Sequence, residues 1–539
     1  MQSGERVYKH GGDKLADAVR LAYADGQTDY SMEPLVLTDE SGAPVGKIKD
    51  GDAVVFCCRR GEREIELTDA FTEEDFPHFE RRRLENLDFV ILTMYHEKYI
   101  NLPIAFAPSK VDLTLAECVS RAGLKQLHCS ESEKFAHVTY FFNGGSNLVP
   151  AGEEDVRVPS PKDIPFDQVP ELSLPKVADE VKKGIGSGYE LIVVNFANGD
   201  VIGHTSNTEA KVKCAEYIDR YLSEVVEESK KHGYVTIITA DHGNLETLYS
   251  EDGSPHVAHT TNRVPIVLVD PYAGYSETGE ANGGSGALTL NNGKLADVSP
   301  TILHILNIPQ PEAMTGNNLT GSYNFGDHRK VLLIILDGWG IGSDDDTNPI
   351  FIANTPYWDT LTTTFPKAEL SAAEEAVGLQ AGKAGNSEAG HINIGAGQVV
   401  TQDDVRLDNA MKDGSFEKNE VFLDTIGRAK ERGAALHLLT LLTKKSSHGS
   451  IDYPLALLRM AASMGLADVY LHIIFDGRST EPGSAPTLLE ELDIMMEEIG
   501  TGQIVDGVGR GIALDRDSNY AKIEKAYNAF VLGDGRRYS

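Results

Sequence analysis

Lys330-Val331-Leu332-Leu333-Ile334-Ile335-Leu336-Asp337-Gly338 is the stretch that decides the fold. Val331 to Leu336 are six aliphatic residues with no polar alternation, so neither face is left for water. The segment reads as a strand covered on both sides, as in a parallel sheet flanked by helices. It ends in a carboxylate and a glycine, and the carboxyl ends of such strands are where open α/β sheets place their ligands. Leu191-Ile-Val-Val-Asn195, Val235-Thr-Ile-Ile-Thr239 and Val264-Pro-Ile-Val-Leu-Val269 repeat the pattern, and all four runs are expected to lie parallel. Lys211 to Glu228 and Lys294 to Leu306 carry helical spacing between them, an alternation that means α/β layers.

Further strand-like runs, Ala53 to Phe56, Phe89 to Leu92, Ala435 to Leu442 and Val469 to Phe475, lie towards the two ends of the chain, with helical stretches at Pro454 to Met464 and Pro486 to Ile499. They predict a second α/β domain whose pieces come from both termini. Residues 270 to 293 read as a surface loop and 317 to 330 as a connector.

At about 150 residues per domain, 539 residues allow roughly two to four domains. The 82 acidic and 49 basic side chains leave a net charge of −33, which repels phosphate backbones and anionic headgroups and argues against nucleic-acid or membrane partners. A small anionic substrate then needs basic groups gathered locally. Cys57, Cys58, Cys118, Cys129 and Cys214 are odd in number and form no CxxC pair, and residues 1 to 15 lack a charged-then-apolar leader. Reduced thiols and a cytoplasmic location are expected. No apolar run approaches the roughly 20 residues of a membrane helix.

Carboxylates and imidazoles follow the apolar runs: Asp337 after VLLIIL, Asp200 and His204 after LIVVNFANG, Asp241 and His242 after VTIITA, and His259 in HVAHTTN. Three Asp and three His are ligand types suited to Mn²⁺, Zn²⁺ and related ions, enough for most of a two-metal centre. Any one of them alone is more often a cap or a loop hydrogen bond. Gly385-Asn-Ser-Glu-Ala-Gly-His391 offers a hydroxyl, Ser387, among small residues at a helix start, where amide donors favour an anion; Ser387 as a plain helix cap is the competing account. Basic residues stand at Arg60, Arg63, Lys134, Arg478, Arg510 and Arg516, and His448 lies in KKSSHGS. Arginine forks bind phosphate and carboxylate bidentately, so their convergence makes an anion pocket, whereas singly each is a surface ion pair.

The segments LDGWG, GNSEAGHINIGAG, ESEKFAHVTYFFNGG, NFANGDVIGHT, ITADHGNLE, AHTTNRVP, LADVSPTILHIL and MTGNNL resemble the signatures of the cofactor-independent phosphoglycerate mutases, two-domain enzymes of the alkaline phosphatase superfamily. The order differs: MTG at Met314 precedes LDGWG at Leu336, so the chain resembles a circularly permuted member, its old ends joined near 320–329. The resemblance implies an alkaline-phosphatase-like doubly wound sheet over 109–400 carrying the metal site, and a second α/β substrate domain built from 401–539 plus 1–108. It implies one ion at Asp200, His204 and His259, another at Asp337, Asp241 and His242 beside Ser387, usually two Mn²⁺ with Zn²⁺, Co²⁺ or Mg²⁺ as alternatives, and no organic cofactor. The implied reaction interconverts 3-phosphoglycerate and 2-phosphoglycerate through a phosphoserine at Ser387. Lys134 helps neutralise charge, His448 takes part in catalysis, and Arg60, Arg63, Arg478, Arg510 and Arg516 hold the substrate, in a monomer.

The departures fall in the substrate domain. The family pattern DGRD reads Asp476-Gly-Arg-Ser479, SDGGVHSH reads Thr443-Lys-Lys-Ser-Ser-His-Gly-Ser450, NFRPDR reads Cys58-Arg-Arg-Gly-Glu-Arg63, GRYY reads Gly509-Arg-Gly-Ile512, and QLR reads Gln126-Leu-His128. Ser479 replaces a carboxylate and cannot take up a proton at neutral pH. The rewritten residues Cys58, Lys444 to Ser447 and Ser479 keep open an alternative: a related phosphatase or phosphomutase acting on another small phosphorylated or phosphonate acid.

Overall fold

Lys330–Leu336 lies inside an eight-stranded sheet, hydrogen-bonded in parallel to Leu191–Phe196 on one side and to Tyr234–Thr239 on the other. Val331 to Leu336 have no exposed surface, as an unbroken apolar run requires. The computed structural model describes residues 10–59, 63–107, 111–273, 281–283, 286–327, 329–444, 446 and 448–539. By their internal contacts, Ser109–Gln402 form one unit, and Met1–Pro108 with Asp403–Ser539 form another.

In the Ser109–Gln402 unit the strand order is Gly293–Lys294, Lys367–Ser371, Val264–Val269, Tyr234–Thr239, Lys330–Leu336, Leu191–Phe196, Gln126–Glu131, Glu153–Val158. The last five of these strands run parallel. Val264–Val269 departs from expectation: it pairs antiparallel with Tyr234–Thr239 and with Lys367–Ser371. The connection through residues 240–263 holds no helix to carry the chain back across the sheet, so the strand returns in the opposite sense. Leu174–Ser187 and Thr208–Lys231 each bury one stripe, Leu174, Val177, Ala178, Val181 and Ile185 on the first and Cys214, Ile218, Leu222 and Val225 on the second. Within 270–293, Ala281–Gly283 and Gly286–Leu288 pair as a short antiparallel ribbon.

The other unit holds a second eight-stranded sheet in the order Arg536–Tyr538, Leu35–Leu37, Gln503–Gly509, Val469–Phe475, Leu436–Leu442, Ala53–Phe56, Asp88–Thr93, Ile104–Phe106. Strands from both ends of the chain enter it: Leu35–Leu37 lies between Arg536–Tyr538 and Gln503–Gly509, and Ala53–Phe56 lies beside Leu436–Leu442. Ala53–Phe56 pairs in parallel with Leu436–Leu442 and with Asp88–Thr93. Alternate residues feed two cores: Val55, Leu438, Leu471 and Ile473 on one face, Val54, Phe56, Leu439 and Ile474 on the other. Asp52, His437, His472 and Asp506 form a buried polar chain, with His437 Nε2 3.0 Å from Asp52, His437 Nδ1 2.9 Å from His472 Nε2, and His472 Nδ1 2.6 Å from Asp506. Among the described residues, no helix is long and apolar enough to cross a membrane.

Candidate metal centre

Four adjacent parallel strands of the Ser109–Gln402 unit end in polar residues at the same edge. Lys134 follows Gln126–Glu131, Asp200 and His204 follow Leu191–Phe196, Asp337 follows Lys330–Leu336, and Asp241 and His242 follow Tyr234–Thr239. His259 comes just before the antiparallel strand Val264–Val269, which starts at that edge. Gly338 has φ +74°, and a Cβ there would lie 2.7 Å from the Asp200 amide, so glycine lets the two acid-bearing segments touch.

Ser387 opens the helix Ser387–Ala396, but it is not the cap. Asn386 is, its side-chain oxygen accepting from the Ala389 amide at 2.8 Å. The Ser387 hydroxyl is therefore available: Lys134 Nζ donates to Oγ at 2.6 Å, His242 Nε2 lies 2.9 Å away, and Asp337 Oδ1 is at 3.3 Å. A Cβ on Gly390 would lie 2.6 Å from the Asp241 carbonyl oxygen, so this helix can press on the Asp241 loop only with glycine there.

In the first donor set, Asp200 Oδ1 is 3.0 Å from His259 Nε2 and 3.2 Å from His204 Nε2, and the two Nε2 atoms are 3.1 Å apart. The other ring nitrogens face carbonyls, His204 Nδ1 that of Val257 and His259 Nδ1 that of Gly385, each at 2.8 Å. A carbonyl only accepts, so Nδ1 carries the hydrogen, and the neutral form of each ring would present a lone pair at Nε2. Two lone pairs and a carboxylate oxygen converging at these distances fit a cation, with the carbonyls orienting the rings.

The second set is more deeply buried. Asp337 Oδ2 accepts from Asn195 Nδ2 at 2.6 Å, and Asp337 Oδ1 from Lys134 at 2.9 Å. Asp241 Oδ1 accepts from the amides of His242 and Gly338, while Oδ2 has no hydrogen-bond partner and faces His391 Nδ1 at 3.3 Å and His242 Nε2 at 3.5 Å. Lys134 completes its three bonds on Asp200 Oδ2 at 2.7 Å.

Burial opposes the charge of all three carboxylates, yet Lys134 and the surrounding imidazoles hold Asp200, Asp241 and Asp337 below the usual carboxylate range. The reciprocal effect raises Lys134, and lifts His242 to about 9 against its own desolvation through Asp241, Asp337 and Asp200. A pocket that draws protons onto buried bases in this way favours added positive charge. Its mixture of carboxylate and imidazole donors suits divalent transition ions.

The structure thus brings together Asp200, His204 and His259, and beside them Asp241, His242, Asp337, Lys134 and Ser387. Three participants escaped the sequence reading. His391 sits one helical turn after Ser387 on the same face, a spacing that was visible in GNSEAGH. Asn195, inside an apolar run, holds Asp337 and lies 3.0 Å from His391 Nε2. Glu246 accepts from the amides of Asn244 and Gly340 and from Asn262 and Thr260, tying the loops of Asp241, His259 and Asp337 together.

The remaining candidates belong to the other unit and follow its neighbouring parallel strands: His448 after Leu436–Leu442, Arg478 after Val469–Phe475, Arg510 after Gln503–Gly509, and Arg63 after Ala53–Phe56. Arg60 lies outside the described residues, as do Lys445 and Ser447. Arg63 Nη1 donates to the Leu514 carbonyl at 3.1 Å, between Arg510 and Arg516 in sequence. Arg510 forms an ion pair with Asp476, but a fully buried one and not a surface pair, while Arg478 and Arg516 are exposed. Arg59 Nη2 donates to the Ser446 carbonyl at 2.7 Å and the Arg59 amide to that of His448 at 2.9 Å, anchoring the His448 loop.

Comparison with known proteins adds two family matches, the metalloenzyme superfamily over residues 46–310 and the N-terminal region of BPG-independent PGAM over residues 407–539. A 2,3-bisphosphoglycerate-independent phosphoglycerate mutase of Salinibacter ruber is 43% identical over 313 residues, covering 57% of each chain. The second such enzyme of Methanosarcina acetivorans is 42% identical over 304 residues, 56% of each. The chain thus spans just over half the length of the curated relatives it matches. A crystal structure of Leishmania mexicana phosphoglycerate mutase at low cobalt concentration shares 29% identity over 52% of this chain and 53% of that one, with a TM-score of 0.39.

Proposed function

From the relation of residues 46–310 and 407–539 to the metalloenzymes and to the cofactor-independent phosphoglycerate mutases, we propose that the chain is a metal-dependent phosphoglycerate mutase working through phosphorylated Ser387. The observation that carries the reading is the Ser387 hydroxyl, free of capping duty and held by Lys134 and His242 among three buried aspartates.

Asp200, His204 and His259 would hold one divalent ion, and Asp337, Asp241, His242 and Ser387 the other, Mn²⁺ being the ion proposed. When bound, such ions supply charge to the phosphoryl oxygens and acidify the serine hydroxyl. Ser387 Oγ forms its bond to phosphorus as the ester bond to glycerate breaks, and the proton lost by serine is matched by the one gained by the departing hydroxyl. Lys134 offsets the negative charge that gathers on the phosphoryl group. Glycerate then stays bound, its carboxylate held by arginines among Arg60, Arg63, Arg478, Arg510 and Arg516, until its other hydroxyl takes the phosphoryl group back. His448 is the group proposed to carry the hydroxyl proton, since Ser479 cannot.

Permuted connectivity belongs to the same reading. It is supported by a family model of an N-terminal region matching residues 407–539, and by Met314 preceding Leu336. A monomer in the cytoplasm completes the proposal, and size-exclusion chromatography tests the first part.

The decisive experiment supplies 3-phosphoglycerate and Mn²⁺ and resolves the products. 2-Phosphoglycerate is expected, together with ³²P on Ser387 that is absent from Ser387→Ala. Free glycerate and phosphate alone would reduce the reading to a phosphatase. Rapid turnover of another phosphorylated or phosphonate acid with none of phosphoglycerate would replace the substrate.

A further inference from the structure

The strands Gln126–Glu131 and Glu153–Val158, at one border of the sheet in the Ser109–Gln402 unit, gather a second group of acceptors. Gln126 is the register partner of Glu153 and His128 of Asp155, so by the two-residue period all four side chains leave the same face. His128 is fully buried and spends Nδ1 on the Val138 carbonyl at 2.6 Å, which leaves a lone pair on Nε2 of the neutral ring. That Nε2 faces Gln126 Oε1 at 3.2 Å and Glu153 Oε2 at 3.9 Å. The Gln126 amide nitrogen already donates to the Ala116 carbonyl at 2.8 Å, so its oxygen is what it offers His128.

Glu153 has a fully buried side chain. Its Oε1 accepts from Asn143 Nδ2 at 2.8 Å, while Oε2 has no hydrogen-bond partner. Asp155 Oδ1 has none either. The donor atoms of His128, Glu153 and Asp155 lie within 4.8 Å of one another. His128 Nε2 with Gln126 Oε1 beside it thus converges on the Glu153 and Asp155 carboxyl groups, which lie close enough to share a proton when no cation is present. Burial pushes both carboxyls up and the imidazole down, as expected of charges lacking a counter-ion. Asp155 and Asn143 also line a cavity of about 150 Å³ with Thr139, Tyr140 and Ser146, which provides an entry route.

We propose that His128, Glu153 and Asp155, with the Gln126 oxygen as fourth ligand, form a Zn²⁺-type site separate from the Asp200 and Asp337 centre. An ion about 2.1 Å from each donor sets tetrahedral ligands roughly 3.4 Å apart, so the side chains need only draw in slightly. Four protein ligands leave no open position for substrate. The site's role is therefore structural, fastening the border strand Glu153–Val158 to its neighbour. It depends on His128, which stands where the resembling family carries arginine, and not on the proposed mutase activity.

The test counts metal on the full chain after chelation and reloading with Zn²⁺ alone, by elemental analysis after dialysis, for wild type, Glu153→Gln and Asp155→Asn. Each variant is expected to bind one equivalent fewer than wild type. With Co²⁺ as the probe, each should lose one visible absorption component, and neither variant touches the Ser387 chemistry. Should Glu153→Gln fail to fold, Asp155→Asn at its half-buried position still decides. Equal metal content and identical Co²⁺ spectra in all three proteins overturn the site and leave the carboxyls sharing a proton. Because no turnover is read, this outcome is distinct from failure of the mutase reading.

Discussion

Lys134 Nζ lies 2.6 Å from Ser387 Oγ while bonded to Asp200 and Asp337 at 2.7 and 2.9 Å, so one ammonium group ties the serine to an aspartate of each donor set. Lys134→Met removes the tie without adding a polar group. It should lower kcat/KM for 3-phosphoglycerate by about 10²- to 10³-fold, the usual effect of losing one preorganised donor to developing charge. Lys134→Arg should not restore it, because a planar fork cannot reproduce three bonds from a single nitrogen. Steady-state assays on folded variants check both, and near-normal activity in Lys134→Met would remove Lys134 from the transition state.

His391 reaches Asp241 at 3.3 Å and the Ser387 carbonyl at 2.8 Å on one ring nitrogen, and Asn195 on the other. It orients an acid without needing to touch substrate. His391→Ala should weaken Mn²⁺ binding by about 10- to 100-fold, the range typical of residues that position metal ligands. Calorimetric titration reads this directly, and an unchanged affinity argues against the role.

Mn²⁺ itself should stabilise the fold by binding the native state alone. At a free concentration 100 times Kd the gain is about 2.7 kcal/mol. A chelator should lower Tm correspondingly. Asp200→Asn should blunt the response, and a Tm indifferent to metal in wild type would contradict the centre.

Arg510 and Asp476 are a fully buried pair, with Arg510 Nε and Nη2 and Asp476 Oδ2 lacking hydrogen-bond partners. Asp476→Ala leaves the guanidinium without its counter-charge and should cost about 3–5 kcal/mol in urea unfolding. The double variant Asp476→Leu, Arg510→Met should lose less, since it removes both charges together. Equal losses in the two proteins would mean that shape, not charge, sets the cost.

Burial pushes His437 down to about 4, although Asp52 draws its proton and His472 opposes it. In the unfolded chain the ring titrates near 6.5. Between those values the unfolded state binds more protons, so the stability His437 contributes above pH 6.5 is lost as pH falls from about 6.5 to about 4. Asp506, raised by burial, acts in the opposite sense at the acid end. NMR of the His437 ring should show it neutral at pH 5.5, and a midpoint near 6.5 would refute the assignment.

Strand positions were legible because burial on both faces demands unbroken apolar runs, as in Val331 to Leu336. The direction of Val264–Val269 was not, since it depends on whether the preceding connection contains a helix, and 240–263 contains none. The clustering of Asp200, Asp241 and Asp337 could be anticipated because each follows a strand and parallel strands end together. Asn195 was hidden because its importance depends on the neighbour it faces across the sheet. Arg510 shows the reverse: singly it reads as a surface ion pair, and only packing reveals that Asp476 draws it inward.

The mixing of early and late strands in one sheet also constrains biosynthesis. Phe56 and its register partner Leu439 are 383 positions apart. At translation rates of about 5–20 residues per second, Ala53–Phe56 waits roughly 20 to 80 s for that neighbour. Throughout this interval the intervening Ser109–Gln402 sheet emerges with all its strands close at hand, while Ala53–Phe56 has only Asp88–Thr93 beside it and Leu35–Leu37 has neither of its neighbours. The strands that emerge late, Leu436–Leu442 and Gln503–Gly509, are therefore the ones that close the edges Ala53–Phe56 and Leu35–Leu37 leave open.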